Sequence, residues 1–92
     1  GGAVDLTLIT DNGYYLDMGT QFDDFSTSAW TDEFEDTVLF PEVRNNRRIL
    51  YNAMTQAGFT NLPTEWWHFD YGDKFWAYYT GKPQLYKGLL VL

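Results

Sequence analysis

The four residues from Glu65 to His68, Glu-Trp-Trp-His, carry the most informative chemistry in this sequence. His68 is the only histidine of the chain and cysteine is absent, so a metal site must combine His68 with carboxylates. Zinc binds neutral imidazole and carboxylate oxygens, and a carboxylate outside the coordination shell can act as a general base. The motif therefore predicts a zinc ligand at His68 and a base at Glu65. The alternative is a pair of core tryptophans between a strand histidine and a surface glutamate.

The spacing of Glu65 and His68 sets a geometric condition. In a regular strand, residues three apart point to opposite faces of the sheet. The two side chains converge only if Glu65 precedes the strand or lies at a bulge. Pro63 and Thr64, immediately before Glu65, favour the first arrangement.

Two aspartates are further candidates for the site. Asp5 lies among apolar neighbours near the start of a predicted central strand, where a carboxylate needs a partner or a metal. Asp23 follows the segment Gly19–Phe22. The alternatives are an ordinary solvent-facing strand position for Asp5 and a turn or helix cap for Asp23.

The elements that must position these residues are predicted as a small antiparallel sheet with one main helix, an α+β fold. Alternating residues predict a strand over residues 3–9, and Asp-Asn-Gly at 11–13 predicts a turn into a return strand over 14–18. The apolar residues within 19–40 show no sustained helix or strand periodicity, which predicts a long ordered loop. The aromatic segment 66–69 predicts a strand.

One helix is predicted from Pro41 to Ala57. Proline suits the first turn of a helix, and Gly58 suits a left-handed C-terminal cap. One face forms an apolar stripe, and the arginines occupy the other faces; the stripe contains Val43, Leu50, Met54 and Ala57, and the arginines are Arg44, Arg47 and Arg48.

Three shorter segments follow the helix. Phe59–Leu62 predicts a short extended piece that ends at Pro63. Phe75–Tyr79 predicts another strand or a docked aromatic segment, and the apolar tail Leu89–Leu92 receives no assignment.

Composition limits the class of protein. The chain has 92 residues, 45% hydrophobic and 20% aromatic, which predicts one folded domain or part of one. A net charge of −7 argues against nucleic acid as a partner, and no apolar run is long enough to predict a membrane span. The run of acidic residues at 23–36 predicts a solvated loop. A calcium loop is the alternative, and the segment lacks the ligand spacing that it requires.

Five spaced motifs together resemble the VanX-type zinc D-alanyl-D-alanine dipeptidases. They are GGAVDLTL at 1–8, MGTQFD at 18–23, NRRIL at 46–50, MTQAGF at 54–59 and EWWHF at 65–69. The resemblance covers the chain up to about Gly72. It implies the C-terminal part of a hedgehog/DD-peptidase-like zinc peptidase fold, in which one zinc ion is held by two histidines and one aspartate.

The resemblance also implies roles for individual residues. Asp5 matches the aspartate ligand that ends the family's H-x-x-G-x-A-x-D stretch, and His68 matches the histidine ligand of E-W-W-H. Glu65 matches the catalytic base of the same motif. Asp23, in the G-x-x-F-D stretch, matches an acidic residue that holds the free amino end of the dipeptide.

Part of the family's site has no counterpart in these residues. The first histidine of the motif would fall three residues before Gly1, and the upstream arginine that stabilises the oxyanion is also missing. Residues 1–92 are therefore expected to be the C-terminal portion of a single catalytic domain. The N-terminal part of the same enzyme is the expected partner, and the activity of these residues alone is in doubt.

The function implied is zinc-dependent hydrolysis of D-Ala-D-Ala or a related small peptide in bacterial peptidoglycan metabolism. Two alternatives stay open: a D,D- or L,D-carboxypeptidase acting on peptidoglycan stem peptides, and a non-catalytic module that binds the cell wall through aromatic side chains. The sequence does not decide between bacterial cytoplasm and periplasm or cell envelope, between resistance and nutrition, or between oligomeric states.

Overall fold

A computed structural model describes residues 2–35, 38–83 and 85. These residues form a small α+β unit with a three-stranded antiparallel sheet and two helices. The strands are β1 (Ala3–Asp5), β2 (Thr60–Asn61) and β3 (His68–Asp70), and the helices are α1 (Pro41–Gln56) and α2 (Lys74–Thr80). The predicted class, a small antiparallel sheet with a main helix, is confirmed at this level.

The sheet has the order β1-β3-β2, so β3 is its central strand. Asp5 pairs directly with His68 across β1 and β3, and Asn61 pairs with Phe69 across β2 and β3. The prediction of a central strand at Asp5 is therefore wrong within the described residues, where β1 lies at an edge.

β1 is also shorter than predicted, since it ends at Asp5 rather than at residue 9. The Leu6 N–H still bonds to the Trp67 carbonyl oxygen at 3.0 Å, but the facing chain then turns at Trp66 and Trp67 and offers no further ladder partner. Because of this turn, the strand predicted over 66–69 is wrong at its start: the observed strand, β3, begins only at His68.

The predicted hairpin is present in reduced form. A single antiparallel bridge joins Ile9 and Tyr15, and the Thr10 N–H donates to the Tyr14 carbonyl oxygen at 2.8 Å. Gly13 adopts a φ of 90°, which explains the glycine of the turn. The Leu16 N–H also donates to the Leu8 carbonyl oxygen at 3.0 Å, and residues 17 and 18 of the predicted return strand are not in a strand.

Helix α1 begins at Pro41, as predicted, and ends at Gln56 with Ala57 as its C-cap, one residue before the predicted end. Gly58 follows with a φ of 95°, where a Cβ atom would lie 3.2 Å from the Tyr71 ring. The stripe residues Val43 and Leu50 are buried. The buried core cluster brings together α1, β3, the turn before β3 and the loop before α1. It consists of Met18, Ala29, Leu50, Trp66, Trp67 and Phe69.

The segment after β3 differs from the prediction. Residues 74–80 form α2, whereas a strand or docked aromatic segment was expected over Phe75–Tyr79. The Asp73 side chain caps the helix by accepting from the Trp76 N–H at 3.0 Å, and Gly81 ends it with a φ of 70°. The predicted extended piece at 59–62 contains β2, and the tail Leu89–Leu92 lies outside the described residues.

We call residues 17–35 the anchored loop, because hydrogen bonds from α1 hold them. The loop contains a short 3-10 helix at Thr27–Ala29 and otherwise turns and bends, which agrees with the predicted ordered loop. Trp66 connects it to the sheet: the Trp66 N–H donates to the Ala29 carbonyl oxygen at 3.0 Å, and Trp66 Nε1 donates to Thr20 Oγ1 at 2.8 Å.

Candidate metal centre

The pairing of β1 with β3 places Asp5 and His68 side by side. Their backbones are cross-strand partners, and Asp5 Oδ1 lies 2.8 Å from His68 Nδ1. Directly opposed residues of an antiparallel pair share one face of the sheet, so the contact follows from the register. The Asp5 side chain is 51% exposed, and that of His68 is 21% exposed.

Glu65 reaches the same point from the turn before β3. The Glu65 N–H donates to the Leu62 carbonyl oxygen at 3.0 Å, and the His68 N–H donates to the Glu65 carbonyl oxygen at 3.3 Å. Glu65 thus precedes the strand, and its Oε1 lies 3.8 Å from His68 Nδ1. The side chains of Glu65 and His68 therefore converge because Glu65 precedes the strand, the arrangement that Pro63 and Thr64 favour.

Asn61 fixes this turn from the neighbouring strand. Its side-chain nitrogen donates to the carbonyl oxygens of Glu65 and His68, each at 3.1 Å. Its side-chain oxygen accepts from Thr31 Oγ1 at 2.5 Å. The sequence reasoning missed Asn61; no motif in the sequence marks it, because its role depends on the fold of the turn opposite.

The three side chains form a group with the donor atoms of a metal site. One ligand atom from each of Asp5, Glu65 and His68 lies within 4.8 Å of the other two. Two carboxylate oxygens and one imidazole nitrogen suit zinc, so the residues fit the ion that the motifs indicate.

The other ring nitrogen of His68 faces Asp70. His68 Nε2 lies 3.2 Å from each carboxylate oxygen of Asp70, and Asp70 is only 2% exposed. Burial raises the pKa of Asp70 to about 6, a hydrogen bond with Asp73 adds to the rise, and the charge of His68 opposes it. Asp70 carries no sequence motif, and sequence reasoning did not find it.

The carboxylates around His68 control its charge. Burial alone would lower the pKa of the imidazole, but the hydrogen bond with Asp5 and the charge of Asp70 outweigh it and raise the pKa above its ordinary value. A cation at this position is therefore favoured by the surrounding charges, and a metal ion would occupy the same electrostatic environment.

Asp23 lies apart from this group. The group of metal-ligand atoms found within residues 2–35, 38–83 and 85 contains Asp5, Glu65 and His68 and does not include Asp23. Asp23 is exposed and adopts a left-handed φ of 62°. Its neighbour Phe22 packs against both tryptophans of the motif, with ring centroids 5.7 Å apart in each pair.

A cavity of about 550 Å³ lies between the anchored loop and the motif. It is lined by Thr7, residues 15–22 and Trp66, so it adjoins the segments that carry Asp5, Glu65 and Asp23. A second cavity of about 730 Å³ lies beside α1 and includes none of the metal-ligand group in its lining.

Arg47 holds the anchored loop in place. Its Nε donates to the Met18 carbonyl oxygen at 2.7 Å, and its two terminal nitrogens donate to the carbonyl oxygens of Trp30 and Ser28 at 2.9 and 2.7 Å. The side chain is 4% exposed and lies 4.6 Å from the Phe34 ring centroid. Burial lowers the pKa of the guanidinium to about 10, so it is charged at neutral pH.

The sequence contained a signal for this role. The prediction that Arg47 lies on a face away from the apolar stripe is wrong: it is buried with Val43, four residues before it, and Leu50, three residues after it. An arginine in the middle of a buried stripe indicates a side chain that hydrogen-bonds within the core.

Sequence comparison relates the chain to one family. Residues 1–86 match the D-ala-D-ala dipeptidase family. A D-alanyl-D-alanine dipeptidase of Synechocystis is 34% identical over 86 residues, covering 85% of this chain and 35% of that protein. A D-alanyl-D-alanine dipeptidase of Escherichia coli is 39% identical over 70 residues, covering 76% of this chain and 35% of that protein. Within the described residues, no helix is long and apolar enough to cross a membrane.

Proposed function

The chain belongs to the D-Ala-D-Ala dipeptidase family, and on that premise we propose that it contributes to zinc-dependent hydrolysis of the D-Ala-D-Ala dipeptide in cell-wall peptide metabolism. The observation that carries the proposal is the convergence of Asp5, Glu65 and His68 on one point. These are the residues that the family motifs mark. Asp5 lies in β1, Glu65 in the turn before β3, and His68 in β3.

Asp5 and His68 are the proposed zinc ligands. Their donor atoms lie 2.8 Å apart, and both belong to paired strands, so the backbone ladder sets their separation. Zinc, when bound, supplies Lewis acidity toward the peptide carbonyl and toward water.

Glu65 is the proposed general base. Its carboxylate, 24% exposed, lies beside the ligands and remains open to water. It takes a proton from the attacking water and passes that proton to the amine of the leaving D-alanine. The water oxygen first bonds to the carbonyl carbon, the carbon–nitrogen bond then breaks as the amine takes the proton, and the products are two molecules of D-alanine.

Asp23 is proposed to bind the free amino group of the dipeptide. A carboxylate pairs favourably with an ammonium group, and a blocked or extended peptide lacks that group at the same place. The cavity beside residues 15–22 and Trp66 supplies the space for the small substrate next to the loop that carries Asp23.

We also propose a partner for these residues. The chain spans 35% of the length of both relatives, and its sequence contains one histidine, His68. We propose that the N-terminal part of the same enzyme contributes the remaining histidine ligand and the oxyanion-stabilising arginine. Intact-mass spectrometry and a denaturing gel of active material test this, and activity from a single species of 10.7 kDa would contradict it.

The proposed function is tested by comparing substrates and one variant. The active protein should hydrolyse free D-Ala-D-Ala and should act poorly on N-acetyl-D-Ala-D-Ala and on stem-length peptides. Preferential hydrolysis of stem peptides would support a carboxypeptidase instead, and binding without turnover would support a cell-wall module.

Glu65→Gln separates a base from a ligand. As a base, Glu65 contributes about 10²–10⁴-fold to turnover, and the variant should lose that factor while keeping its zinc. Loss of zinc from Glu65→Gln would assign Glu65 to the coordination shell, and unchanged turnover would refute both roles. Glu42→Gln, at an exposed position in the first turn of α1, is the matched control and should change neither quantity.

A further inference from the structure

Asp70 occupies the side of His68 that faces away from Asp5 and Glu65. Both of its carboxylate oxygens lie 3.2 Å from His68 Nε2. At 2% exposure, it is one of two buried polar or charged residues among those described. A carboxylate is rarely buried to this degree without a partner, and here the partner is the imidazole.

The position of Asp70 is fixed from several directions. It lies in the central strand, opposite Ala3 on one side and Thr60 on the other. Asp73, which raises the pKa of Asp70, is held by the N-terminus of α2, where it accepts from the Trp76 N–H at 3.0 Å. The backbone of Asp70 is therefore paired on both sides, next to the imidazole that its carboxylate contacts.

This placement assigns different tasks to the two nitrogens of His68. Nε2 is occupied by Asp70, whereas Nδ1 lies 2.8 Å from Asp5 and 3.8 Å from Glu65. Only Nδ1 points into the group of metal-ligand atoms. A carboxylate that accepts the remaining N–H of a ligating histidine fixes its tautomer and ring orientation and raises its basicity.

We propose that Asp70 is a positioning residue for the metal site, holding the Nε2–H of His68 so that Nδ1 is presented as the ligand atom. The proposal rests on the proposed zinc function. A merely structural Asp70 would stabilise the fold through β3 and Asp73 without affecting how His68 binds a metal.

Zinc affinity is the first measurement, made by competition with a chromophoric chelator on the complete metal-binding protein. Asp70→Ala should weaken zinc binding by about 10–100-fold, the usual cost of losing such an outer carboxylate. Asp70→Asn retains an oxygen that can accept from Nε2–H, so its loss should be smaller than that of Asp70→Ala. Asp11→Asn, in the exposed hairpin turn, removes a carboxylate away from His68 and should leave the affinity unchanged.

The second measurement is nitrogen NMR of protein labelled with [15N]histidine, with His68→Gln used to assign the imidazole signals. Zinc-loaded wild type and Asp70→Asn should show Nδ1 shifted by the metal and a proton on Nε2 that exchanges slowly. Asp70→Ala should lose the slow exchange. If Asp70→Ala does not fold, the Asp70→Asn variant still decides, because the loss of charge should lower its zinc affinity measurably.

Zinc affinity and Nε2 proton exchange that match the wild type in every folded Asp70 variant would overturn the positioning role and leave the proposed function intact. An unsubstituted protein that binds no zinc would contradict the proposed function itself. The two failures are therefore distinguishable.

Discussion

The sheet and the anchored loop hold their parts of the candidate site by different interactions. In the sheet, Asp5 and His68 face each other because consecutive backbone pairs align β1 with β3. In the anchored loop, three backbone carbonyl groups converge on the single guanidinium of Arg47. Asp5 and His68 are aligned by a backbone ladder, whereas three of the hydrogen bonds that hold the loop carrying Asp23 come from one side chain.

The difference predicts how each region responds to substitution. A ladder distributes its hydrogen bonds over several residues, so replacing Asp5 or His68 removes a proposed ligand without removing what aligns the strands. Replacing Arg47 removes one charged donor from the carbonyl groups of Met18, Ser28 and Trp30, of which the Trp30 carbonyl keeps the Glu33 N–H at 3.0 Å. Substitution of Arg47 should therefore lower the free energy of unfolding, whereas substitution of Asp5 or His68 should mainly reduce zinc binding.

Arg47→Ala is expected to have the largest effect on stability. It removes the charged donor shared by the carbonyl oxygens of Met18, Ser28 and Trp30, and should lower the free energy of unfolding by about 3 kcal/mol. Urea unfolding measures the change. Arg48→Ala is the matched control on the same helix, because Arg48 is 51% exposed and pairs only with Glu35 among the described contacts.

An exposed ion pair of that kind contributes about 0–1 kcal/mol, so Arg48→Ala should stay within that range. Equal losses from the two arginine variants would remove the distinction between the loop and the sheet. Arg47→Lys keeps the charge but not the fork of donors, and should fall between the wild type and Arg47→Ala.

Asp23→Asn should affect substrate binding and leave the metal in place. If Asp23 pairs with the ammonium of the dipeptide, the variant should raise KM for free D-Ala-D-Ala by about 10-fold or more, the equivalent of a charged hydrogen bond. Steady-state kinetics with zinc analysis checks both quantities. An unchanged KM, or a loss of zinc, would contradict the separation of Asp23 from the metal-ligand group.

Thr20→Val should have the smallest effect. It removes the acceptor of the 2.8 Å hydrogen bond from Trp66 Nε1, which joins the anchored loop to the motif, and should cost about 1 kcal/mol of stability. Thr20→Ser keeps the hydroxyl and is the matched control. Thermal unfolding of the two variants measures the difference, and a Thr20→Val protein as stable as Thr20→Ser would show that the bond does not hold the loop.

The sequence was sufficient for the features governed by local chemistry. Pro41 and Gly58 mark the ends of α1, and Asp-Asn-Gly marks the hairpin turn. The placement of Glu65 ahead of its strand also followed from Pro63 and Thr64. In each case the residue itself restricts the backbone, so the structure is determined within a few positions.

The features that the sequence reasoning missed depend on distant partners or on signals that compete. The aromatic run at 75–79 favours a strand, but Asp73 as a cap and Gly81 as a terminator make it helical. The early end of β1 at Asp5 depends on the turn opposite, at Trp66 and Trp67. Asp70 was missed because the strand was predicted to end at residue 69, although residues two apart in a strand share one face and Asp70 lies two residues after His68.

Zinc content is the most direct test of the central claim, which is that Asp5, Glu65 and His68 converge to form a metal centre. Wild-type protein, Asp5→Ala, His68→Ala and Asp23→Ala should be compared by elemental analysis after dialysis, with circular dichroism to confirm folding. The account predicts one zinc in the wild type and in Asp23→Ala, and loss of zinc from folded Asp5→Ala and His68→Ala. Zinc retained by both of these variants, or absent from the wild type, would contradict it.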